Sequence, residues 1–144
     1  MRRRGGRALL AMLVTAVLVV GAPLVDAAAA RPRPPSTWHL VDAGQRACFS
    51  ARVTDSYFGV WLSGRWTREI NVGASGLPAG GGYDTSYAPI PPGSSTGVYS
   101  LAYVHVKLAP GTAVGVYTAS LWASDGSRTQ SVPVVLDVRT RCGY

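Results

Sequence analysis

Gly115 to Val138 reads GVYTASLWASDGSRTQSVPVVLDV, and its pattern decides the fold class. Tyr117, Ala119, Leu121 and Ala123 fall on one side of an extended chain, and Val116, Thr118, Ser120 and Trp122 on the other. After Asp125-Gly126, Val132, Val134, Leu136 and Val138 share a face opposite Pro133, Asp137 and Arg139. Alternation with period two on both sides of an Asp-Gly turn predicts a β-hairpin, because glycine accepts a positive φ at no steric cost. A lone hairpin cannot bury its apolar face, so a second layer is expected over it.

The upstream chain supplies that layer. Trp38 to Val41, Arg46 to Val53, Tyr57 to Ser63, Arg65 to Val72 and Val98 to Leu108 read as strands, separated by Asp42-Ala43-Gly44, Thr54-Asp55-Ser56 and Ser63-Gly64. Phe58, Val60 and Leu62 oppose Tyr57 and Trp61, and Val104, Val106 and Leu108 oppose Tyr99, Leu101, Tyr103 and His105. Arg68 between Trp66 and Ile70 places its strand at a sheet edge. Residues 73–97 are dominated by Gly, Pro and Ser and read as one long loop of about 25 residues. With the hairpin this makes about seven strands and no helix in the mature chain. The expected fold is all-β: an antiparallel, immunoglobulin-like β-sandwich.

The chain of 144 residues opens with four arginines within Met1 to Arg7. An apolar run from Ala8 to Val20 and the small residues Ala27 to Ala30 follow. This is the pattern of a cleaved signal peptide. The run is shorter than the roughly 20 residues of a membrane-spanning helix, so no stable membrane anchor is expected after cleavage. The expected organisation is a signal peptide over 1–30, a Pro-rich leader over 31–37 and one β-sandwich domain over 38–144. Losing the signal peptide lowers the formal charge from +7 to about +4, weak grounds for nucleic acid as a partner.

Two cysteines, Cys48 and Cys142, are expected to pair in an exported protein. With two distant histidines they lack the spacing of a zinc site, and no metal or cofactor is expected. No G-x-S-x-G, H-E-x-x-H or phosphate-cradling glycine loop is present. Glu69 and Asp84 are a conceivable carboxylate pair, with nothing in the sequence to favour it.

Binding residues are better candidates. Tyr83, Asp84 and Tyr87 lie in the Gly- and Ser-rich stretch, where Tyr offers contact area at low entropy cost. Trp122 shares a strand face with Thr118 and Ser120, so it is a candidate for stacking on sugar rings. Trp66 is another, or else it stacks with Arg65 or Arg68.

Three blocks, TWHLVDAGQRACF (37–49), PIPPGSSTG (89–97) and VGVYTASLWASDGSRTQSVPV (114–134), resemble a domain-of-unknown-function family of small secreted actinomycete proteins. The run from Pro110 to Tyr117 also resembles the closing strands of bacterial immunoglobulin-like modules. The resemblance implies secretion and a single domain, and it carries no functional residue over. The function expected is a secreted, non-catalytic binding module for an extracellular polysaccharide, cell wall or protein. The alternative is a small inhibitor of a secreted hydrolase, acting through the 73–97 loop. Oligomeric state is not legible.

Overall fold

In a computed structural model, residues 37–143 can be described. The expected signal peptide and nearly all of the leader lie outside them. Among the described residues, ten strands form three sheets. The hairpin is the spine of the largest: β9 (Gly115–Ser124) pairs antiparallel with β10 (Thr129–Val138) along its whole length, from Thr129 opposite Ser124 to Val138 opposite Gly115. The turn takes the four residues between them. β5 (Asn71–Ser75) flanks β9, and β2 (Arg46–Phe49) flanks β10, giving the order β2-β10-β9-β5. β2 runs parallel to β10, so the sandwich is not wholly antiparallel as expected.

The facing sheet has β8 (Ala102–Lys107) at its centre, between β3 (Asp55–Val60) and β6 (Gly82–Ser86). The third sheet is β1 (His39–Leu40), β4 (Leu62–Trp66) and β7 (Gly93–Thr96), in the order β1-β4-β7. The result is an all-β, sandwich-like fold, with more strands and sheets than a seven-stranded immunoglobulin domain. Phe58, Val60, Val104 and Val106 from one side meet Leu121, Val134 and Leu136 from the other, all essentially without solvent contact. Alternation drives this packing: every second residue of a strand points to the same face, so each apolar set is buried together.

Several expectations change here: Asp55-Ser56 and Ser63-Gly64, expected in turns, lie inside β3 and β4. The stretch 73–97 is not one loop. It carries the end of β5 and all of β6 and β7, joined by short connections. The strand expected over Arg65 to Val72 is two elements: β4 ends at Trp66 and β5 begins at Asn71 in a different sheet, so the chain crosses between layers at 67–70. Arg68 is exposed in that crossing rather than on an edge strand.

Only Trp61 separates β3 from β4, so they form one long bent strand. Val60 pairs with Ala102, and Ser63 pairs with Thr96. Two residues on one side therefore oppose five on the other, and 97–101 bulges out. The Ser100 hydroxyl holds the base of the bulge, accepting from Val60 N at 3.1 Å and donating to Ala102 O at 2.7 Å. The outer edge of β3 is closed by Gln45. Its Oε1 accepts from Gly59 N at 2.8 Å and its Nε2 donates to Gly59 O at 2.9 Å. The edge is thus blunted against pairing with another chain.

The expected disulfide is present. Cys48 and Cys142 are bonded, with Cα atoms 5.9 Å apart, and the bond ties the C-terminal tail to β2.

Candidate functional site

The outer face of the β3-β8-β6 sheet collects Tyr57, Tyr87 and Tyr103, three of the five exposed aromatic residues among those described. On β8, Ala102, Val104 and Val106 point inward, which sends Tyr103, His105 and Lys107 outward. On β3 the outward set is Asp55, Tyr57 and Gly59, and on β6 it is Gly82, Asp84 and Ser86. Register then sets three rows across the sheet: Asp55-Lys107-Gly82, Tyr57-His105-Asp84 and Gly59-Tyr103-Ser86.

The first two rows are joined by two diagonal side-chain contacts. His105 Nε2 lies 2.6 Å from Asp55 Oδ2, and Lys107 Nζ donates to Asp84 Oδ2. The hydrogen bond and charge of Lys107 hold the Asp84 carboxyl below its ordinary range, and Asp84 in turn raises the Lys107 ammonium. Tyr57 stacks on His105, with ring centroids 4.0 Å apart and planes within 6°, and is still 60% exposed. One ring face is taken by the imidazole and the other is open.

The third row is aromatic because it contains a glycine. A Cβ at Gly59 would lie 2.7 Å from the Trp61 indole, so only glycine lets that ring lie across β3. Tyr103 stands beside it on β8, and Tyr87 meets Tyr103 edge-to-face with centroids 6.2 Å apart. Tyr87 sits just beyond β6 at φ +59°, a left-handed conformation costly for a residue with a Cβ, and it is 77% exposed. Tyr99 on the 97–101 bulge is also exposed.

The residues named from sequence divide among three places. Asp84 and Tyr87 belong to this face. Tyr83, one residue before Asp84 on β6, points the other way and meets Trp122 of the hairpin. A Cβ at Gly73 would lie 2.5 Å from the Trp122 ring and 2.6 Å from the Tyr83 hydroxyl. Trp122 does face outward, but it is half-buried in this contact. Trp66 is neither a sugar platform nor an arginine stack. It is 3% exposed, and its Nε1 donates to Pro91 O at 2.7 Å. Arginine stacks on Trp38 instead, with the Arg128 guanidinium 5.7 Å from the ring centre.

Tyr57, Trp61, Tyr103 and His105 were not singled out as binding residues. The signal was available in the outward alternates of β3 and β8, but only the register shows that these alternates lie on one face. Among the described residues, no group of three or more His, Cys, Asp or Glu is placed to hold a metal ion. The arrangement can stack against apolar ring faces and exchange hydrogen bonds with a polar ligand.

The model of a "Family of unknown function (DUF5980)" matches residues 39–140, more than half of the chain. None of the curated proteins matches. Among solved structures, the crystal structure of domains 4 and 5 of the S-layer protein SbsC is similar over 71% of this chain, at 20% identity and a TM-score of 0.38. The similarity spans 45% of that chain.

Proposed function

We propose that this chain, which belongs to the DUF5980 family, is a secreted, non-catalytic domain that binds an extracellular polysaccharide on the outer face of β3, β8 and β6. The observation that carries the reading is the gathering of Tyr57, Tyr87 and Tyr103 on one face, 60%, 77% and 39% exposed, beside Trp61. Large rings left in water by a domain with a full core suggest a surface that is covered in use. Their flat apolar faces suit the C–H faces of pyranose rings. Asp55, His105, Lys107 and Asp84 lie alongside and offer alternating acceptors and donors to sugar hydroxyls.

The same residues argue against hydrolysis. A glycosidase needs a carboxylic acid whose pKa is raised. Here each carboxylate is engaged by a base, and Asp84 is shifted downward. Secretion is supported by the disulfide, which persists in oxidising compartments, and by the basic, apolar start of the sequence. The inhibitor reading is weakened, because 12 of the 25 residues of 73–97 lie in β5, β6 and β7, which leaves connections of six residues at 76–81 and 87–92 rather than one long projecting loop.

The test is retention of the oxidised protein on a panel of insoluble polysaccharides and cell wall. Tyr57→Ala and Tyr87→Ala should each weaken retention about 2- to 10-fold, the worth of one aromatic contact. Trp122→Ala, half-buried on the other sheet, should leave it unchanged. Retention that survives the Tyr57→Ala/Tyr87→Ala double variant would refute this face as the site.

A further inference from the structure

A cleft lies at the end of the sandwich and shares no residue with the aromatic face. β2 and β10 are parallel and finish together at Phe49 and Val138, while β8 finishes at Lys107 in the facing sheet. The sheets part there around a cleft of about 350 Å³. Its apolar lining includes Phe49, Leu108, Pro110, Val114 and Val138. That volume is within the range of small-molecule sites. Val114 is 64% exposed at this cleft, an aliphatic side chain left in water. An adjoining depression shares Ser50, Ala51 and Thr140 with the cleft and is lined by Arg52 and Arg141.

Charge here is one-sided. Arg139 lines the cleft and Arg52 and Arg141 line the depression, and neither lining contains an Asp or Glu. Arg139 donates to Asp137 at 2.6 Å. Arg52 and Arg141 make no ion pair among the described residues. The Cys48–Cys142 bond fixes the segment that carries Arg141 next to β2, so the basic rim is held against the apolar cleft by a covalent tie.

We infer that this end of the sandwich binds a single amphiphilic anion, a medium-chain alkyl carboxylate, with its chain in the cleft and its head group between Arg52 and Arg141. An apolar floor alone would accept any hydrocarbon. Two unpaired guanidiniums at its rim select the charge, because arginine forms paired, charge-assisted bonds with a carboxylate.

The experiment is calorimetric titration of the full, oxidised chain with decanoate, decanol and decyltrimethylammonium below their aggregation concentrations. Decanoate should bind with a stoichiometry of about one, about tenfold more tightly than decanol, and the cation should not bind. Arg52→Gln/Arg141→Gln should weaken decanoate about tenfold and leave decanol unchanged. Val114→Asp, an exposed position where folding is not at stake, should weaken both. No binding of decanoate, equal binding of all three chains, or indifference to the arginine variant overturns the proposal. Binding to anionic vesicles without binding of monomeric decanoate overturns it in favour of a membrane surface. Binding that appears only after deletion of Tyr144 overturns it in favour of the chain's own terminus as occupant.

Discussion

The indole Nε1 of Trp38 donates a 2.9 Å hydrogen bond to Asp125 Oδ2, joining the start of the domain to the hairpin turn 87 residues away. Both partners are buried. The other carboxylate oxygen accepts from Ser127 N at 3.0 Å, Ser127 Oγ at 2.8 Å and Arg128 N at 2.8 Å. The Trp38 carbonyl returns the contact, accepting from Arg128 Nη1 and Gln130 Nε2. The β9–β10 turn is therefore shaped by one carboxylate and clamped to β1 by one indole. Trp38→Phe keeps one aromatic ring but removes the donor and part of the buried indole's volume, leaving Asp125 Oδ2 buried and unpaired. A loss of about 1 to 3 kcal/mol is expected, read from urea unfolding with an unchanged slope.

Acid should act through the same carboxylate. Burial by itself raises the Asp125 pKa, but the bonds from Trp38, Ser127 and Arg128 outweigh it and pull the value far below the ordinary carboxylate range. A depressed native pKa means that the unfolded chain binds the proton first. The stability contributed by Asp125 is therefore full above about pH 4 and is lost as pH falls below it. Melting temperature measured from pH 7 down to pH 2 should drop below about pH 4 in the wild type. Asp125→Asn should be less stable at neutral pH and show a shallower drop. Parallel acid profiles for the two proteins would assign the acid sensitivity to other groups.

Reduction should be costly for a different reason. The disulfide links residues separated by 94 positions, nearly the whole described domain. Closing so long a loop removes unfolded-state entropy worth about 4 to 5 kcal/mol in the chain-entropy model. Cys48→Ser/Cys142→Ser should lower unfolding free energy by up to that amount. The β9–β10 ladder should persist, because its register does not depend on the tail. Circular dichroism beside chemical unfolding separates the two effects.

The hairpin and the disulfide were legible because each depends on little beyond itself. The hairpin needs local alternation and a turn, and two cysteines leave one pairing. β6 and β7 were not legible. Gly93-Ser94-Ser95-Thr96 has no apolar side chain to alternate, and no residue of β6 is buried. These strands are set by the ladders of β4 and β8, contacts that sequence periodicity does not carry. The same limit explains Trp66, buried with its N–H donated to a carbonyl 25 residues away, and the aromatic face, whose members come from β3, β8, the bend at Trp61 and the residue just past β6. Asp125 was read as a turn residue, which it is. Its bond to Trp38 is long-range and left no local mark.

Gly73 offers the sharpest test of how the two main sheets meet. It pairs with Trp122 across β5 and β9, and Tyr83 reaches it from β6 of the other sheet. A Cβ there would be 2.5 Å from the Trp122 ring and 2.6 Å from the Tyr83 hydroxyl, closer than such atoms can approach. Gly73→Ala should therefore displace both rings and cost about 1 to 3 kcal/mol, as overpacking does. If the clash is the cause, removing the ring should relieve it. The Gly73→Ala/Trp122→Ala double variant should then be more stable than the sum of the single losses, by about 0.5 to 3 kcal/mol of coupling. Tyr83→Phe removes only the second obstruction and should recover a smaller share. Strict additivity in the unfolding free energies would mean that the alanine acts on the β5 backbone and not through the two rings.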